Sequence, residues 1–332
     1  MTSFPLGDMP LPASPWLFIP LLLLIFWLHL VAMWLMVGSL IIGVVDLIKN
    51  KAGEWKESKA IRYLPIIMAI VINLGVPPLL FLQVVYSPFF FSSSVILAVP
   101  WLSIFFLLMF AYGLIYAARY AAKKSWHAIT FLTASAISVL VISFIFSNNV
   151  SLMIKPEFWG DLYSYKQNGL NLYPNLPEVI SRWMWVLSPI FAAGAAMLGQ
   201  SKKWFIPSAL ISIGALISYK SFFTPEVTAH SLVEISLIAD FVLAGILLVL
   251  SFLKFENKIA QIIIFIWIAL KGLAVVFLRH GIRAASLDPT YPLSDLPVQV
   301  QPFLVTIFIA ALLVGGSVVA WMYINGRKEL KI

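Results

Sequence analysis

The sequence contains no cysteine. That absence excludes disulfides, thiolate metal sites, iron–sulfur ligation and covalent c-type haem attachment, which needs a C-x-x-C-H motif. Any redox centre must be non-covalent, held by His or Met, or sit in a partner. Charge is scarce as well. Asp, Glu, Lys and Arg make up 11% of the 332 residues, against 61% hydrophobic, and mean hydropathy is +0.97. No soluble domain buries that fraction, so the composition reads as a polytopic membrane protein in contact with lipid. There is no P-loop and no G-x-G-x-x-G, and no extramembrane domain to bind a nucleotide, which argues against ATP-driven chemistry. The net charge of +8 is not gathered into a basic patch on polar surface. Cytoplasmic retention charge explains it, and no nucleic-acid partner is expected. The N-terminus lacks the positive region of a cleavable signal, and the first apolar run is too long for one.

What is present is a series of long apolar runs. They read as nine transmembrane helices over residues 15–47, 61–87, 92–121, 126–153, 177–200, 203–222, 231–253, 258–282 and 297–324, an all-α polytopic bundle. The organisation is an external N-terminal segment (1–14), a first four-helix bundle (15–153), an external loop (154–176), a second four-helix bundle (177–282), and a final loop, helix and tail (283–332). The stretch 154–176, rich in Tyr, Asn and Pro, reads as an ordered loop. Placing the N-terminus outside puts 15 Lys and Arg in the inward segments and six in the outward ones. The positive-inside rule therefore gives an external N-terminus and a cytoplasmic C-terminus. No inverted repeat of the transporter kind is evident.

Few polar side chains interrupt the hydrocarbon, and these carry the question of function. His29 lies in the middle of the first run, where an ionisable, metal-binding ring is costly without a partner. It reads either as an axial haem ligand or as a ring bonded to a neighbouring helix. Gly38, Ser39 and Gly43 on the same helix let another helix or a flat macrocycle approach closely. The second helix carries Asn73-Leu74-Gly75-Val76-Pro77-Pro78, read as a mid-span break that needs a cavity, neighbour or cofactor to satisfy the freed carbonyls; Gln83 follows. Asn148 and Asn149 end the fourth helix and suit a quinone, a haem propionate or a helix end. Arg182 could pair with Glu178 four residues before it or hold a propionate through its fork. Asp240 and Lys271 lie at depths that differ by only about 3 Å at helical rise, and read as a buried ion pair. Glu234, His230, Arg279, His280 and Arg283 lie near the outer ends of the same helices, as a pocket for a quinol head group or a proton exit. His127 reads as a surface residue.

Nine helices, an external N-terminus and a His within helix one resemble subunit I of the cytochrome bd-type quinol oxidases. Asn73-Leu74-Gly75-Val76-Pro77 resembles that family's N-x-G-x-x-x-G-[IV]-P helix with tighter spacing. The run Ser147-Asn148-Asn149-Val150-Ser151-Leu152-Met153-Ile154-Lys155-Pro156 resembles the family's fourth-helix end, and Leu176 to Gly199 resembles its fifth helix. The departures are as specific. The acid that follows Gly-Ile-Pro in the family is replaced by Pro78, Leu79 and Leu80; the fifth-helix His falls at Trp185; and the external loop for quinol shrinks to Lys220–His230. The resemblance implies a divergent bd-like subunit in the inner membrane of a bacterium or archaeon, without an oxygen-reducing tri-haem site. It implies one haem b at most, with His29 on the iron, and a quinol-oxidising oxidoreductase role beside a periplasmic c-type cytochrome or other redox subunits. Arg182, Asn148 and Gln83 would orient propionates or quinone, and Glu234, Asp240 or His280 would take protons outward. Two other classes stay open: a cofactor-free membrane anchor for a redox partner, and a proton- or ion-coupled transporter using Asp240, Lys271 and Glu234.

Overall fold

A backbone in hydrocarbon must satisfy its own hydrogen bonds, and a chain with this much apolar sequence does so as helix. The computed structural model describes residues 10–49, 59–121, 125–165, 167–199, 201–253 and 257–329. Among them the α-helices are α1 (Pro15–Lys49), α2 (Lys59–Val85), α3 (Ser87–Ile96), α4 (Ala98–Tyr120), α5 (Ser125–Met153), α6 (Trp159–Tyr165), α7 (Leu176–Leu187), α8 (Ile190–Leu198), α9 (Phe205–Lys220), α10 (Pro225–Ala229), α11 (Ser231–Phe252), α12 (Asn257–Leu287) and α13 (Pro302–Glu329). The one extended pairing described is an isolated parallel bridge between Leu11 and Val298.

Among the described residues, eight helical stretches are long and apolar enough to cross a membrane, with α7 and α8 together forming one of them. The chain is a multi-pass membrane protein. The expected span 203–222 corresponds to α9, whose 16 residues extend about 24 Å at helical rise, less than the ~30 Å of a typical hydrocarbon core.

The first helix is the hub. α1 packs against α2, α5, α8 and α12. Its crossing with α8 is a backbone contact: a Cβ on Gly38 would lie 1.9 Å from the Ile190 carbonyl oxygen, and one on Gly194 would lie 2.2 Å from the Gly38 carbonyl carbon. Small residues permit this approach, and dispersion between the two backbones then holds the pair. The small-residue face of α1 at Gly38 thus receives a helix, not a macrocycle. Trp34, fully buried, and Trp27 donate their indole N–H groups to the Val186 and Ala269 carbonyls at 2.8 Å each.

Two breaks fall elsewhere than the sequence suggests. α2 runs unbroken through Pro77 and Pro78; the φ that proline imposes is compatible with a helix, although each ring removes one backbone donor. The interruption comes at Tyr86, two residues before Pro88, and the third expected span, 92–121, is divided at Leu97 between α3 and α4. The other break is at Ser188-Pro189, between α7 and α8. It is repaired by side chains, as a membrane interior requires. Ser208 of α9 donates to the Ser188 carbonyl at 2.5 Å and accepts from the Ala192 amide at 3.1 Å, while Trp34 occupies the Val186 carbonyl.

The loop after α5 is ordered, as expected. It holds a 3₁₀ turn (Pro156–Phe158) and α6, and turns at Gly169 with φ +71°, a conformation that suits glycine. The Gly169 carbonyl accepts from Val99 N–H, and Asn171 donates to the Ile96 carbonyl. The expected external N-terminal segment, 1–14, is described in part. Residues 1–9 lie outside the described residues, but Leu11 and Pro12 bond to the backbone at Pro297, Gln299 and Gln301. α13 stands apart, packing on α2, with Phe308 between Phe18 and Phe81. The exposed Phe, Leu, Ile and Val of α4, α11 and α13 form the lipid-facing surface.

Candidate functional site

Between α1, α2, α4, α5, α7 and α12 lies a cavity of about 300 Å³, at the lower end of the range for small-molecule sites. Its walls are mostly Leu, Val, Ile and Phe, with Met33, Met36 and Met68. Polar groups reach it from four helices: His29 from α1, Ser143 and Ser147 from α5, Arg182 and Trp183 from α7, and Arg279, His280 and Arg283 from α12.

His29 is positioned by the second helix. Its Nδ1 lies 3.0 Å from the Val71 carbonyl oxygen. A carbonyl only accepts, so Nδ1 carries the proton and Nε2 keeps its lone pair. The ring rests against Gly75, where an added Cβ would lie 2.9 Å from Cε1, and Phe26 stacks nearby at 6.2 Å between ring centroids. A neutral imidazole with Nδ1–H on a backbone carbonyl is the form that ligates metals through Nε2. His29 is bonded to a neighbouring helix, as one of its two readings had it, and its other ring nitrogen is uncommitted.

The arginines are held by contacts that leave their charge uncompensated. Arg182 NH1 donates to Ser151 Oγ at 3.2 Å. The expected pair with Glu178 does not form. That carboxylate is taken by the Tyr173 hydroxyl at 2.9 Å and the Asn175 amide at 3.3 Å, and Asn175 also caps α7. The Arg279 guanidinium lies 4.4 Å over the Phe26 ring and that of Arg283 lies 5.3 Å over Tyr86, both within cation–π range. No carboxylate of the described residues lies within ion-pair distance of Arg182, Arg279 or Arg283. Arg279 Nε, Arg283 Nε and NH1, His280 Nδ1 and Ser147 Oγ are buried without hydrogen-bond partners.

A second polar centre lies apart from the cavity. Lys271 of α12 donates to Asp240 of α11 at 2.5 Å and to Ser212 of α9 at 2.6 Å, and Trp185 of α7 donates to the same Asp240 oxygen at 3.2 Å. Asp240, Lys271 and Trp185 are fully buried. The ion pair read from helical depth is present, and it ties four helices together.

The remaining candidates scatter. Glu234 is exposed in the first turn of α11. Gln83 is half-buried and does not line the cavity. Asn148 is buried one residue beyond the wall; its Oδ1 accepts from Tyr173 N–H at 2.9 Å, pinning the loop. The structure therefore gathers His29, Arg182 and His280 in one cavity and leaves Asn148, Gln83, Glu234 and Asp240 outside it. The sequence reading groups Arg279 and Arg283 with Glu234, His230 and His280 in one outer polar pocket; of these, Arg279, His280 and Arg283 line the cavity and Glu234 and His230 do not. The i, i+4 spacing of Arg279 and Arg283, which puts both on one helix face, was the signal for their shared role. Ser147, Trp183 and the three methionines carried no such signal.

Outside the membrane-spanning segments, burial and the adjacent Glu178 hold the Tyr173 hydroxyl above its ordinary pKa, so it stays a donor to that carboxylate.

No protein-family model, curated protein or solved structure matches the chain.

Proposed function

We propose that this chain is a bd-like integral membrane subunit of a respiratory electron-transfer complex, passing electrons between membrane quinol and a haem or a periplasmic cytochrome partner. The carrying observation is His29, whose Nδ1 is committed to Val71 and whose Nε2 is free beside an apolar cavity with arginines on its wall. The residues fit a haem b. Nε2 of His29 would hold the iron, and Arg182, Arg279 and Arg283 would hold two propionates through their forks. A haem bound there would supply a one-electron carrier. The chain's own residues fix the imidazole tautomer, exclude water with Met, Leu and Phe side chains, and set a positive potential that favours the reduced partner of any couple nearby. His280 lies on the cavity wall and is the group best placed to take a proton from a bound quinol. Asp240 is engaged by two donors, Lys271 and Trp185, and serves the fold.

The topology that goes with this reading has nine crossings and an external N-terminus in the inner membrane of a bacterium or archaeon, with α9 as a short crossing. The split of Lys and Arg between the two sets of loops supports it.

The test is a dithionite-reduced minus oxidised spectrum of the purified chain with pyridine haemochrome quantitation, beside His29→Ala. The expected result is one b-type haem per chain, lost in the variant. An intact protein with no haem absorbance overturns the haem reading.

A further inference from the structure

The arginine end of the cavity asks for something that the histidine does not. Three guanidinium groups converge there from two helices with no carboxylate among the described residues to balance them. Buried like charges without counterions are costly in hydrocarbon. The sequence offers Arg182 a counterion four residues away, and the fold takes it away: Glu178 is turned to Tyr173 and Asn175. Three N–H groups on Arg279 and Arg283 are left without acceptors, while stacking on Phe26 and Tyr86 fixes where the planar forks lie. Fixed, forked, unpaired donors are the recognition chemistry of phosphate and carboxylate.

The rest of the cavity limits what carries that anion. Below the arginines the wall is apolar. Val76 belongs to the wall and is also 49% exposed on the flank of α2, so the cavity there is one side chain from the lipid-facing surface. The ligand must therefore have an acidic head and an apolar body.

We propose that the cavity is a binding site for an amphipathic anion, a phosphate or carboxylate carried on an apolar body, which enters from the membrane beside Val76 and is held at its head by Arg182, Arg279 and Arg283. Phospholipid, free fatty acid and a porphyrin dicarboxylate share that chemistry. The inference stands on the arginines and does not require iron on His29.

Native mass spectrometry of the full chain in neutral detergent tests it, comparing wild type with Arg279→Gln/Arg283→Gln. Phosphatidylglycerol, oleate, methyl oleate and inorganic phosphate are added separately as probes. Wild type is expected to retain, or to take up saturably, an adduct with an acidic head, and the adduct mass tells lipid from porphyrin. Methyl oleate and inorganic phosphate are expected to bind at least roughly tenfold less, and the double variant to lose the acidic adduct by a similar factor. Equal binding of methyl oleate, full binding of bare phosphate, equal occupancy in the double variant, or no acidic adduct at any lipid ratio overturns the proposal. A porphyrin adduct that survives in the arginine variant but is lost in His29→Ala also overturns it while sustaining the haem reading. Should the double variant fail to fold, Arg279→Lys and Arg283→Lys, which keep charge and lose the fork, replace it; weakened binding supports the proposal and unchanged binding overturns it.

Discussion

His29 and Gly75 are complementary: the ring occupies the space that a side chain on residue 75 would fill, with Cε1 2.9 Å from the position of an added Cβ. The hydrogen bond to Val71 on the same helix holds Nδ1, the ring atom next to Cε1. One glycine and one carbonyl of α2 thus set the direction of a side chain on α1.

Gly75→Ala is expected to push the ring off its carbonyl. Overpacking of this kind costs about 1–3 kcal/mol, read as a lower midpoint of thermal unfolding in detergent. Any haem signal that depends on His29 should shift or fall in the same variant. An unchanged midpoint and spectrum would show that the contact carries no strain.

At the α1–α8 crossing the neighbours of the glycines are backbone atoms, which cannot swing away. Gly38→Ala and Gly194→Ala should each reduce the yield of folded protein sharply. Because both relieve or disrupt one crossing, the double variant should be less damaging than the sum of the singles. Folded yield by size-exclusion chromatography decides it, and additivity would place the two glycines in independent contacts.

The Asp240–Lys271 pair predicts an asymmetry between single and double replacement. Asp240→Leu or Lys271→Met alone leaves a buried charge with no partner and should cost about 3–5 kcal/mol. The pair of changes together should recover most of that. Thermal unfolding measures the cycle. If the double variant is no more stable than the singles, the helices depend on the pair for more than charge balance.

The Tyr173–Glu178 contact predicts an alkaline weakness. The folded pKa of Tyr173 lies above its ordinary value of 10.0, so the unfolded loop loses its proton first. Stability from this group is whole below pH 10.0 and declines as pH rises above it toward the folded value. Limited proteolysis of residues 154–176 should therefore accelerate in that range. Tyr173→Phe should be cut faster at neutral pH and lose that part of the alkaline sensitivity. The loss of one hydrogen bond to a carboxylate is worth about 1.5–3 kcal/mol.

Much of this was readable in the chain because hydrocarbon leaves few ways to fold it. The long apolar runs could only be helices, and Asp240 and Lys271, at nearly equal depth on neighbouring helices, had strong reason to meet. The site was less legible. His29 stood out because polar residues are rare at its position, but its partner is a carbonyl, which any residue supplies. Arg182 next to Glu178 in helical register suggested a pair; the competing donors, Tyr173 and Asn175, lie in a loop whose path local pattern does not reveal. Pro77-Pro78 looked like a break and is not one, while Pro189 makes one. Proline removes a donor wherever it stands, and whether the helix stops depends on what else can serve the freed carbonyl. At 189 the freed carbonyl, that of Trp185, is taken by the Ser188 hydroxyl at 2.8 Å, while the Ser188 and Val186 carbonyls beside it are taken by Ser208 and Trp34, which are distant in sequence and invisible to periodicity.

The hub position of α1 has a consequence for biosynthesis. The Trp27 indole bonds a carbonyl 242 residues later, and α1, made before both, also rests on α8 and α12. At ~5–20 residues per second of translation, α1 waits roughly ten seconds or more for its last partner. Until α12 arrives, the Trp27 donor and the cavity wall beside it face lipid or a chaperone. A chain truncated before Ala269 would therefore leave α1 without its closing contacts, and membrane quality control would meet the open bundle rather than a smaller, finished one.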